Sequence, residues 1–143
     1  MDVSRGLTIL LLATIPMAAA ASDDKIDPAT LKDKVTIKLG KKLSVQFEQK
    51  GNALTHPEVV EKPTGKPPSP TFDFRKTDDN LILTTKNPFS KALKFRALAR
   101  LKGHKDYFET SIVPVESGLF SAELWQDPIE ELVLFDFKLS DGD

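Results

Sequence analysis

The stretch that decides the fold runs from Ala92 to Lys102 and reads Ala-Leu-Lys-Phe-Arg-Ala-Leu-Ala-Arg-Leu-Lys. Leu93, Phe95, Ala97, Ala99 and Leu101 occupy every second position, with Lys94, Arg96, Leu98, Arg100 and Lys102 between them. Alanine, leucine, lysine and arginine are good helix formers, so composition alone would allow a helix. The spacing argues against it. A helix gathers its apolar residues at every third and fourth place, whereas a strand with one buried and one wet face alternates strictly. The stretch is therefore expected to be a strand with an apolar face and a basic face.

The same period extends in both directions. Toward the C-terminus, strands are expected over Tyr107 to Val113, Leu119 to Trp125 and Leu132 to Leu139, with Val133, Phe135, Phe137 and Leu139 on one face. Gly103 to Asp106, Ser117-Gly118 and Asp127-Pro128 supply the breaks. Toward the N-terminus, Leu81 to Lys86, Phe72 and Phe74, then Leu43, Val45 and Phe47, then Val35, Ile37 and Leu39 alternate in the same way. Gly40 can take the positive φ of a tight connection between the first two of these strands. Residues 50–70 carry Pro57, Pro63, Pro67, Pro68 and Pro70 and read as a long loop, with at most a short edge strand around Val59-Val60. Seven or eight short strands and no long helix point to an all-β antiparallel sandwich over residues 34–139, followed by a polar tail, 140–143.

One passage, Leu81 to Ala97 (LILTTKNPFSKALKFRA), resembles the strand, Asn-Pro turn, strand passage of immunoglobulin-like and fibronectin-like domains in bacterial exported proteins. The resemblance implies an immunoglobulin-like sandwich and no particular activity. The chain departs from antibody-type domains in having no cysteine to pair.

Residues 1–21 have the three parts of a cleavable signal peptide. Arg5 and the amino terminus open it, Leu7 to Met17 are apolar, and Ala18 to Ala21 supply small residues for the cut. A polar arm, 22–33, follows, in which Pro28 to Leu31 could form a single helical turn. The apolar run is shorter than the roughly 20 residues that span a bilayer, so no stable membrane insertion is expected after cleavage. The full chain has 20 Lys and Arg against 21 Asp and Glu, a balance unlike the basic excess of nucleic-acid binders. Export without cysteine suits a bacterial periplasmic or secreted protein.

No motif for catalysis stands out. His56 precedes a proline and His104 sits in a turn, and neither has a nucleophile context. Zinc spacings and phosphate-cradling glycine loops are absent. Asp78-Asp79-Asn80 and Asp141-Gly142-Asp143 do not fit a calcium loop. No metal or cofactor is expected, and a carboxylate-dependent hydrolase is the weakest of the functional readings.

The candidate binding residues are Lys94, Arg96, Arg100 and Lys102 on the basic face, with Glu109 and Ser111 as cross-strand neighbours, and His56 in the proline-rich stretch. In Leu119 to Trp125, most of Leu119, Phe120, Leu124 and Trp125 are expected in the core. An exposed Phe120 or Trp125 would be a natural interface anchor. The leading expectation is a non-enzymatic domain that binds another exported protein, with strand-edge pairing as a mode. The alternative is a small periplasmic inhibitor or assembly chaperone that uses the long loop as a wedge.

Overall fold

In the computed structural model, which describes residues 26–63 and 66–141, the alternating stretches form nine antiparallel strands. They are β1 (Val35–Lys38), β2 (Lys41–Lys50), β3 (Ala53–Val60), β4 (Thr71–Lys76), β5 (Leu81–Lys86), β6 (Ala92–Leu101), β7 (Tyr107–Thr110), β8 (Phe120–Trp125) and β9 (Ile129–Ser140). The segment read as a signal peptide, 1–21, and the first residues of the arm, 22–25, lie outside the described residues. Among the described residues, no helix is long and apolar enough to cross a membrane.

Hydrogen-bonded neighbours run β7-β6-β9-β3-β2-β4-β5-β8, and β1 adds to the side of β9 that β3 also uses. Side chains from all nine strands converge on one interior, β3 contributing Leu54 and β7 the half-buried Phe108. Phe47, Phe72, Phe95 and Phe137 form its centre, with ring centroids 4.7 to 6.1 Å apart. Trp125 stands edge-on to Phe74 at 6.1 Å and extends the core to β8. Burying each such side chain is worth roughly 1.5–3 kcal/mol, which lets a cysteine-free chain hold this shape. One face of a nine-stranded sheet can meet at a common interior only if the sheet curls.

The decisive stretch is indeed a strand, and Leu93, Phe95, Ala97 and Ala99 are buried. Leu98 is also buried, on the opposite face. It packs there with Val133 and Phe135 beneath Ile26, Leu31 and Tyr107. The arm is therefore not simply polar. Its Ile26 and Leu31 cover an apolar spot on the outer face of β6 and β9, and Pro28–Thr30 forms a single 3-10 turn capped by Asp27.

Two expectations are corrected. Residues 53–60 are not loop: they form β3 and a hairpin with β2, so that of the described part of this stretch only 61–63 and 66–70 lack strand pairing. Pro57 is tolerated because the pairing shifts between Gln46 and Glu48, so that His56 and Pro57 together oppose Phe47 in a bulge. Secondly, Val133 and Phe135 do not share a face with Phe137 and Leu139. Asp136 takes the left-handed conformation (φ 57°) where Lys94 pairs with Lys138 and Arg96 with Phe135, and the extra residue reverses the alternation. The tight connection at Gly40 is as expected, but the two strands it joins are not hydrogen-bonded to each other. The chain turns at Gly40 (φ 93°) from a place beside β9 to a place beside β4, and the Gly40 N–H donates to Phe74 O at 2.7 Å.

Candidate functional site

The strand order of the sheet ends at β7 on one side and β8 on the other, and the curl brings these two edges face to face. No backbone ladder joins them among the described residues. Side chains bridge the seam instead. The Trp125 indole N–H donates to Thr110 Oγ1 at 2.9 Å, and Glu123 Oε2 accepts the Val113 N–H at 2.8 Å. The chain itself crosses between the edges over residues 111–119. That crossing is anchored where Val115 exchanges both backbone hydrogen bonds with Leu93. Asn87, buried at the β5–β6 corner, donates to Lys91 O and Val115 O and accepts the Phe89 N–H, each at 2.8 Å. The corner and one end of the crossing are thus fixed, while the end near Val113 is held by Glu123.

Strand β8 is inside out. Ser121, Glu123 and Trp125 point to the interior side, while Phe120, Ala122 and Leu124 point outward. Phe120 is 68% exposed, Leu119 59%, Val113 56% and Leu124 53%. These are four of the five large apolar side chains that are more than half exposed among the described residues, and all four belong to this one edge. The expectation that most of Leu119, Phe120, Leu124 and Trp125 are core is overturned. Only Trp125 is buried, with its indole nitrogen already satisfied, so it cannot anchor a partner directly. Phe120 can.

Glu123 is half-buried beside Leu83 and Trp125. Burial pushes its carboxyl up to about 7, only partly opposed by the Val113 N–H, which favours the charged form. Sequence reading missed Glu123. The available signal was parity, since an acidic residue two places before Trp125 on the same strand shares its face.

The basic face of β6 is largely neutralised. Arg96 makes a two-pronged contact with Glu109, at 2.8 Å for each prong, and lies over the Phe135 ring. Arg100 reaches Glu130 at 2.8 Å and Glu131 at 3.3 Å, and donates to His104 O. The Tyr107 hydroxyl donates to the other oxygen of Glu131, and burial together with that carboxylate raises the phenol above its ordinary range. Lys102 is exposed and Lys94 half-buried. Lys94 stands directly across from Lys138, which stands across from Ala53, which stands across from Lys50. A row of three lysines therefore crosses four strands on the outer face.

His56 sits in the β3 bulge (φ 51°), far from β8 along the sheet. Asp33 accepts its backbone N–H at 3.0 Å, and its exposed ring lies 3.4 Å from Glu48. The structure does not bring His56, the basic face and Phe120 together. A cleft of about 740 Å³ opens at one end of the sheet. It carries Lys38, Lys76 and Lys102 alongside Asp78, Asp79 and Asp127, a mixture that selects neither sign of ligand charge. Among the described residues no cluster of three or more His, Asp or Glu side chains could hold a metal ion.

Comparison of the chain with protein-family models, with curated proteins and with solved structures finds no match.

Proposed function

We propose that this chain is an exported, non-enzymatic binding domain of immunoglobulin-like sandwich type, which takes up an extended segment of another exported protein along β8. The inverted alternation of β8 carries the proposal. An edge strand that turns Phe120 and Leu124 outward sacrifices the burial of large apolar groups, a choice that is compensated when a partner covers them. The side of β8 away from β5 has no ladder partner among the described residues, and strand addition uses both features at once: main-chain bonds for affinity and alternate side chains for selectivity. The complementary segment carries apolar residues at alternate positions to lie beside Phe120 and Leu124, and an acidic residue near Lys86, which stands opposite Phe120.

Arg96 and Arg100 are committed to internal ion pairs, so the contact surface moves from the basic strand to β8. The test is an array of extended peptides with alternating apolar and polar residues, probed with the native protein and with a Phe120→Asp/Leu124→Asp variant. Peptides that bind the native protein, protect residues 119–125 from hydrogen exchange and fail on the variant support the proposal. Binding that survives in the variant, or no binding across the array, sinks it.

A further inference from the structure

The cleft at one end of the curled sheet is walled where β1, β4, β6 and β8 each leave the sheet, at Lys38-Leu39, at residues 76–80, at Lys102 and at residues 126–128. Backbone hydrogen bonds pin these connections. The Leu39 N–H donates to Glu130 O at 3.1 Å and the Lys102 N–H to Pro128 O at 2.8 Å, while the Thr77 N–H closes its own turn on Asn80 O at 2.8 Å. The cleft is therefore preformed, which lowers the ordering cost of binding. Its volume of about 740 Å³ falls within the range of small-molecule sites, roughly 300–1,000 Å³.

The lining sorts by burial. Leu81 and Ile129 are buried and Leu39 is half-buried, an apolar floor, whereas Lys38, Lys76, Lys102, Asp78, Asp79 and Asp127 are exposed around it. Arg100 and Glu130 also line the cleft but are committed to each other at 2.8 Å. The other six charges are uncommitted: three cations and three anions share one cleft, and among the described residues none of them forms an ion pair. A ligand of one sign gains from one set and is repelled by the other, whereas a ligand carrying both signs gains from both. We infer that the cleft binds a short unblocked peptide with apolar side chains, its carboxylate toward the lysines and its ammonium toward the aspartates, its side chains on Leu39, Leu81 and Ile129. Two or three residues, which span at most about 7–11 Å, set the end charges apart with apolar groups between them. This inference does not rest on strand docking at β8.

The probe is leucyl-leucine, in free, N-acetylated, C-amidated and doubly blocked forms, titrated while the methyl resonances of Leu39, Leu81 and Ile129 are followed by NMR. The free dipeptide should move all three, and each block should weaken binding about tenfold, the loss of one charge-assisted contact. Lys76→Gln/Lys102→Gln should weaken the free and N-acetylated forms and leave the C-amidated form unchanged. Asp78→Asn/Asp127→Asn should weaken the free and C-amidated forms but not the N-acetylated one. All four side chains are exposed, so both variants should keep the native unfolding midpoint. Floor methyls that ignore the free dipeptide overturn the inference, as does a doubly blocked form that binds as well as the free one. A lysine variant that weakens the C-amidated form equally also overturns it. The Phe120→Asp/Leu124→Asp variant should bind leucyl-leucine as the native protein does. Loss of binding there would put the dipeptide on β8 and strike the cleft, while failure at the cleft alone leaves strand docking standing.

Discussion

The Trp125 indole N–H donates to Thr110 Oγ1 at 2.9 Å, so the last strand of the hydrogen-bonded order is tied to the first by side chains. Thr110 is itself buried, at 4% exposure, which leaves no water to replace it as acceptor. Thr110→Val keeps the shape and removes the oxygen. It should cost about 1–3 kcal/mol in urea unfolding, the penalty of an unsatisfied buried donor. In a Trp125→Phe background, where the donor is already gone, the same change should cost much less.

Glu123 makes stability depend on pH in a direction opposite to most carboxylates. Its proton is held more tightly folded than unfolded, so stability from this group is full below the ordinary carboxyl value and declines as pH rises through about 7. The whole effect is bounded at roughly 3 kcal/mol. Chemical denaturation of native protein and Glu123→Gln at matched pH values checks it. The difference between the two should widen with rising pH, and parallel curves would disprove the assignment.

Arg100 holds Glu131, a carboxylate only 9% exposed, together with Glu130. Arg100→Met should therefore destabilise by about 3–5 kcal/mol, because it strands a buried charge. A second change, Glu131→Gln, should recover a large part of that loss in thermal melts. Failure to recover would mean that the arginine acts through packing on Tyr107, whose ring lies 5.9 Å from its guanidinium.

Lys94 and Lys138 face one another across β6 and β9. Like charges directly opposite oppose pairing, so Lys138→Glu should stabilise by about 0.2–1 kcal/mol at low salt, with the gain shrinking as salt is added.

Asp136 occupies a left-handed position that most side chains dislike. Asp136→Gly should be nearly neutral, while Asp136→Ala should lose about 1 kcal/mol. Urea midpoints of the two variants separate them, and equal midpoints would show that the bulge carries no conformational cost.

Much of the all-β architecture was legible because alternation is a local property. Leu93 to Leu101, Phe72 with Phe74, and Val35 with Ile37 announce their buried face two residues at a time. Bulges broke the reading at both places where it failed in register. Asp136 inserts one residue and reverses the faces of β9, and His56-Pro57 lets a proline sit inside β3. Neither carries a sequence mark distinct from an ordinary turn residue. The candidate site is half legible: the sequence marks Phe120 and Trp125 alike as anchors if exposed, and nothing local says which of two neighbouring aromatic-bearing faces points inward.

What the sequence alone determined is the strand character, the absence of disulfide support and the near-neutral charge, since these follow from composition and a period of two. Only the tertiary structure decided which strands are edges. The meeting of β7 and β8 is a consequence of how far the sheet curls, and that depends on contacts between residues far apart in the chain. The same closure sets Glu123 against Val113 and leaves Phe120 outside, because a strand has two faces and only its neighbours choose between them.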